Sequence, residues 1–288
     1  MGGGASKTSK SKSMRARDEL IAQHAPSDIP TLSSSQCGVT LGFLVHFCEK
    51  VKHAYFKDRE TFTTKEVVLK VIKPATQAMR CRYVDLGEPK VPVECISTPV
   101  LFISHSWDCP FEELVSLLKT HESYETHPEN HKLPIWIDIF AINQHEHSKS
   151  HALDDMNNTV HAIKEADRAV VSVGRNLSAF KNIWSMYTTF NLLQHKKKIE
   201  MLLASNITFD DFSKATENID LPKCQGGRGN NWQEQQTEKQ LLLADIDNLG
   251  KGYKKAAQKI KEGLMNTTQS EVGQRRPSLT ASLPHLRG

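Results

Sequence analysis

No window of this chain approaches the roughly 18 uncharged apolar residues that a membrane-crossing helix needs. The first residues also lack the apolar stretch of a secretory leader, so none is expected. There is no GxxxxGK[ST] or GxGxxG loop, which removes support for folds that cradle phosphate on a glycine turn. The six cysteines (37, 48, 81, 95, 109 and 224) form no CxxC pair and no finger spacing, so they read as reduced thiols of an intracellular protein. Acid is missing from residues 1–17, which hold five Lys/Arg, while the remainder has 32 basic against 33 acidic residues. The net charge of +4 is therefore a property of the tail, and no nucleic-acid-binding face is expected on the folded part.

What the chain does have is organised around Pro99–Phe111, PVLFISHSWDCPF. Val100–Ile103 reads as a strand buried on both faces. Pro110, with Glu112 and Glu113 behind it, reads as the start of an amphipathic helix. The loop between them carries Ser104, His105, Ser106, Trp107, Asp108 and Cys109, and in open α/β sheets such loops at strand carboxyl ends bind ligands.

Similar units follow. Leu133–Phe140 reads as a second apolar strand with Asp138 near its end and Asn143-Gln144-His145 in the next loop. A helix over 156–166 leads to a strand at Arg168–Val173, and a helix from Ile183 leads to a strand at Ile199–Ala204. This alternation predicts an α/β core at 99–207, a parallel sheet with helices on both faces. Residues 35–98 read as a helical flank. Ser33–Ser35 is expected to cap a helix ending near Phe56, and a second helix starts at Thr63-Thr64-Lys65-Glu66 and is interrupted by Pro74. Residues 208–265 read as a C-terminal helical flank, in which the Gly-rich stretch around Gly226-Gly227-Arg228-Gly229 is expected to be a flexible loop. Residues 266–288 read as a disordered tail in which Arg275-Arg276-Pro277-Ser278 matches basophilic kinase substrates.

At the other end, residues 1–34 read as a disordered arm. Met1-Gly2-Gly3-Gly4-Ala5-Ser6 fits N-myristoylation at Gly2, and Lys7, Lys10, Lys12, Arg15 and Arg17 follow at once. An acyl chain plus a basic patch is the two-signal pattern for peripheral attachment to an anionic inner leaflet. The expected location is the cytoplasmic face of the plasma membrane or of another membrane.

FISHSWD, IWIDIF, AIKEADRAVVSVGRN and NIWSMY, in that order, resemble the successive blocks of a Toll/interleukin-receptor (TIR) domain. They resemble more closely a TIR-like family of microbial eukaryotes with a SHAW…DxFxxNQH…W pattern. Ser104-His105-Ser106-Trp107, then Asp138, Phe140 and Asn143-Gln144-His145, then Trp184 carry the match, over about residues 60–265. The resemblance implies a flavodoxin-like fold and signalling by self-association, with a homo-oligomer or other TIR-like proteins as partners. Some TIR domains also cleave NAD with a Glu four residues after the Trp of the last block. Here that position is Thr188, which cannot carry the charge that steadies an oxocarbenium ion. The expected function is therefore a membrane-tethered interaction module needing no cofactor. The alternative is an NAD(P)- or nucleotide-cleaving hydrolase with a relocated acid, with Glu112, Glu113 and Asp138 as candidates.

The site residues follow from these readings. His105 is the candidate base and Asp138 its orienting partner, although both, with Ser104, could simply tie the strand ends. Ser104, Ser106, Trp107, Asp108, Asn143, Gln144, His145 and Trp184 are the candidate ligand contacts. Cys109 with His105 is a weaker thiolate pair. His145, His147 and His151 with Asp154 and Asp155 match no strong zinc pattern, so no metal is expected.

Overall fold

The computed structural model describes residues 37–145, 147–228 and 231–274, with side chains described as far as Thr268. The lipidation motif at Gly2, its basic arm and Ser278 lie outside the described residues.

Four parallel strands form the centre: β3 (Leu101–Ser104), β4 (Pro134–Trp136), β5 (Arg168–Val173) and β6 (Lys198–Leu203). β3 pairs with β4 on one side and β5 on the other, and β5 pairs with β6. In order of appearance, these strands lie 2-1-3-4 across the sheet. The sheet is mixed, however, because β1 (Gly38–Thr40) runs antiparallel to both β4 and β2 (Ile96–Ser97). The expected all-parallel sheet is corrected there. The N-terminal flank supplies two short strands with no apolar run long enough to announce them. Gly38 permits this edge, since a Cβ would stand 2.6 Å from the Ser97 carbonyl oxygen.

Helix α1 (Leu41–Tyr55) is capped by Thr40, whose Oγ1 accepts from the Phe43 N–H at 3.2 Å, and not by Ser33–Ser35. Helix α2 runs through Thr64–Val67, a π-helical Val68–Ile72 and Lys73–Thr76. Thr63 and Glu66 close a capping box at its start. Pro74 does not end the helix. It enters just after the π-helical stretch, in the first turn of the resumed α-helix, where a missing N–H is tolerated.

Helix α3 (Phe111–His121) follows β3, with Glu112 and Glu113 in its first turn. The expected strand Leu133–Phe140 stops at Trp136. The N–H groups of Phe140, Ala141 and Ile142 turn back to the carbonyls of Ile137 and Asp138, making a short helix α4 (Asp138–Ala141). Asp138 is therefore aimed from a helical turn at the strand end. Helices α5 (Lys149–Glu165), α6 (Ile183–Gln194), α7 (Phe209–Glu217), α8 (Trp232–Gly250) and α9 (Tyr253–Gln274) complete the chain. Helix α9 continues past Asn266, where the composition suggests an end. Helices α8 and α9 pack on α6, and α5 packs on both α6 and α8. The buried strands and helix faces share one apolar core.

Candidate functional site

His105 leaves β3 with its side chain 3% exposed, and its carbonyl accepts from the Ser185 hydroxyl at 3.2 Å. Trp107 follows, and its indole N–H donates to Asp138 Oδ2 at 2.8 Å. That bond holds Asp138 with Oδ1 3.9 Å from His105 Nδ1, too far for a direct hydrogen bond. Burial pushes the His105 imidazole below its ordinary pKa, only partly opposed by the Asp138 charge, so the ring is neutral near pH 7. Asp138 Oδ1 and His105 Nε2 are both buried without a hydrogen-bond partner among the described residues.

These groups wall a cavity of about 350 Å³ at the carboxyl ends of β3 and β4. Of the expected contacts, His105, Trp107, Asp108, Asp138, Gln144 and Trp184 line it. The other four do not. Ser104 is buried and shares a 2.7 Å hydrogen bond with Thr188. Ser106 accepts from the Ser178 hydroxyl at 2.7 Å. The Asn143 amide donates to the Arg80 carbonyl at 2.6 Å, and His145 Nε2 meets Thr76 Oγ1 at 2.8 Å. Each spends its polar atoms on fixing a loop, the bland role such short side chains commonly fill.

The remaining wall lies outside the expected site residues. Lys65 and Lys73 of α2 stand on one side. Helix α2 is docked there because the N–H groups of Thr64 and Lys65 donate to the carbonyls of Cys109 and Trp107 at 3.1 and 2.9 Å. Gln225–Arg228 forms the other side. The expected flexible loop is in fact held: Gln225 pairs with the backbone beside Asn182, and Gly227 donates to the Gln235 carbonyl at 3.2 Å. Gly227 lies so close to Glu238 that any Cβ would collide with the carboxylate.

Arg228 is the pin of this wall. Its Nη2 reaches Asp155 Oδ2 at 2.9 Å and Glu238 Oε1 at 2.8 Å, and its guanidinium covers the Trp184 ring at 4.0 Å. Trp184 thus lines the cavity with one face already covered. Burial pushes Asp155 up to about 6, against the pull of Arg228. Burial also opposes ionisation of Glu238, but the Arg228 charge and N–H donors prevail and hold it below the usual carboxylate range.

The other expectations fall away from this cavity. Glu112 pairs with Lys52 at 2.6 Å and Glu113 with Arg175 at 3.4 Å, so neither lines it. Burial raises the Cys109 thiol, which bonds Asn176 and Ser178 and is not poised as a thiolate. Among the described residues no group of three or more His, Cys, Asp or Glu is placed to hold a metal ion. His151 meets Ser148 at 2.8 Å, and Asp155 serves Arg228. A larger groove of about 640 Å³ between α1 and α3 is more open and is bordered by the Lys52–Glu112 pair.

Lys65 and Lys73 have a signal in the sequence, since they lie eight residues apart on one predicted helix. Arg228 has none, because its partners lie on two separate helices, Asp155 73 residues before it and Glu238 10 residues after it. The chain matches no known family model, no curated protein and no solved structure.

Proposed function

We propose that this chain is a membrane-tethered signalling module of the TIR-like, flavodoxin-like kind, and that its strand-end cavity takes a nucleotide-type ligand of the NAD(P) class. The observation that carries the ligand reading is the cavity of about 350 Å³ at the strand carboxyl ends, lined by the Asp138 carboxylate and by Lys65 and Lys73. The charge layout favours the class. An acid stands at the strand ends, where ribose hydroxyls or a pyridinium would be welcome, and Lys65 and Lys73 stand across from it for phosphates. The 2-1-3-4 order of the parallel strands and ligand binding at strand carboxyl ends agree with this reading.

In this proposal the N-terminal arm holds the module at an anionic inner leaflet, and ligand occupancy biases self-association. A second reading, hydrolysis, is favoured by Asp138, which lines the cavity while Thr188 does not. In that step the ribosyl–nitrogen bond breaks with its electron pair leaving on nicotinamide. A water oxygen bonds the ribosyl carbon and gives its proton to neutral His105, while Asp138 steadies the cationic sugar.

The test is calorimetric titration of the purified full chain with NAD and NADP, alongside chromatography for released nicotinamide at high protein concentration. Saturable binding that Asp138→Asn weakens at least tenfold supports the ligand reading, and nicotinamide release that the same variant abolishes adds the hydrolytic one. No binding of either dinucleotide overturns both.

A further inference from the structure

Behind the ligand cavity lies a second, much smaller space of about 20 Å³, walled in part by His105, Trp136, Asp138, Thr159 and Thr188. It is too small for an organic group but admits a water molecule, which needs roughly 10–15 Å³ and two to four polar partners. Four of its walls carry a buried polar atom with no hydrogen-bond partner among the described residues: His105 Nε2, Asp138 Oδ1, Thr159 Oγ1 and Trp184 Nε1. The Trp184 N–H acts on the Glu238 carboxylate, which leaves three for the chamber, from the loop after β3, α4 and α5. Thr159 is fully buried. Thr76, Thr189 and Thr268 turn their hydroxyls back to the carbonyl one helical turn earlier, at 2.8, 2.8 and 3.0 Å. Thr159 and the equally buried Thr216 of α7 make no such bond, and of these two it is Thr159 that borders the chamber.

We infer that this chamber is a site for one ordered water, which bridges His105 Nε2, Asp138 Oδ1 and Thr159 Oγ1. A carboxylate oxygen accepts, so the water donates one O–H to Asp138. Its remaining O–H and its lone pairs serve His105 Nε2 and Thr159 Oγ1, each of which can donate or accept, and all three orphaned atoms are satisfied. His105 and Asp138, whose Nδ1 and Oδ1 stand 3.9 Å apart without a direct hydrogen bond, are thereby linked through water. Thr159 is thereby a positioning residue: it acts on the ligand cavity only through this water and the imidazole. The inference holds whatever the larger cavity binds.

The test is a crystal structure of the full chain at a resolution that shows ordered water, with proton–nitrogen NMR of the His105 ring. The expected result is a water within hydrogen-bond distance of all three atoms. Thr159→Ser should keep the water and the His105 ring resonances, whereas Thr159→Val should lose the water and shift those resonances. A chamber without water in the wild-type crystal, or a water that does not reach all three atoms, overturns the inference. The wild type and Thr159→Ser are decisive by themselves, so the test works even if Thr159→Val fails to fold.

Discussion

The guanidinium of Arg228 sits over the indole of Trp184, 4.0 Å from the ring centre, while its Nη2 is taken by Asp155 and Glu238. A planar cation between two carboxylates and an aromatic face is a geometry that lysine cannot reproduce. The contact joins the loop before α8 to the first turn of α6, and so closes one side of the ligand cavity.

Removing that cation leaves two buried carboxylates facing each other. Arg228→Ala should therefore destabilise the fold by about 3–5 kcal/mol, and Arg228→Lys should recover only part of the loss. Urea unfolding of the full chain reads this directly. A loss below about 1 kcal/mol would mean that the triad is solvated and does not pin the wall.

Asp155 gives the same triad a pH signature. An acid raised to about 6 in the fold holds its proton better folded than unfolded, so its contribution is present below its unfolded pKa near 4 and is lost as pH rises through 6. The stability of Asp155→Asn relative to wild type should therefore climb by on the order of 2–3 kcal/mol between pH 4 and 7. A difference that stays flat over this interval would contradict the assigned burial of the charge.

His105 works in the opposite sense. Its pKa is lowered, so the fold favours the neutral ring; this stability is present above the unfolded value near 6.5 and is lost as pH falls through the folded value. Melting curves of wild type between pH 7 and 5 should show a steeper fall than those of His105→Asn, which keeps the likewise lowered His147 and His195. Equal falls in both proteins would place the acid sensitivity elsewhere.

The lysines and the acid of the cavity should separate by ligand. Lys65→Ala combined with Lys73→Ala should weaken NAD binding roughly tenfold and flatten its salt dependence, as expected for partly exposed charge–phosphate contacts. Nicotinamide riboside, which lacks phosphates, should be unaffected by the pair yet still respond to Asp138→Asn. If both ligands weaken equally in the lysine variant, the lysines shape the cavity and do not read phosphate.

Thr188, four residues after Trp184, has its hydroxyl 2.7 Å from Ser104 in a buried setting. Thr188→Glu would bury a larger, charged group beside a 20 Å³ space. Denaturation should show a loss of several kcal/mol with no gain in nicotinamide release. A stable, newly active variant would show that the chamber opens readily to the main cavity.

The parts legible in the sequence are those written in consecutive residues. Leu101–Ser104 and Arg168–Val173 lie within one residue of their expected bounds, because short apolar runs flanked by polar loops have few other ways to fold. The capping box at Thr63 and Glu66 is equally plain. Asp138 stands out in the sequence, but its helical turn does not, since Ile137, Ile139 and Phe140 look like strand residues until the Phe140 N–H is seen to turn back. Half of the ligand wall is hidden for another reason. Arg228 meets Asp155 73 positions away and Glu238 on a later helix, and no local periodicity records such a meeting.

The reach of Arg228 to Asp155 and Trp184 also governs how this protein can be divided. A boundary drawn after residue 207 would leave Trp184 without its guanidinium cover and Asp155 without its cation, and would take away one side of the cavity. The α/β core is thus one part of a recess whose remaining walls are helix α2 and the Gln225–Arg228 loop with Gln235 of α8. Shortened versions ending at the last strand would present a different surface at the strand ends.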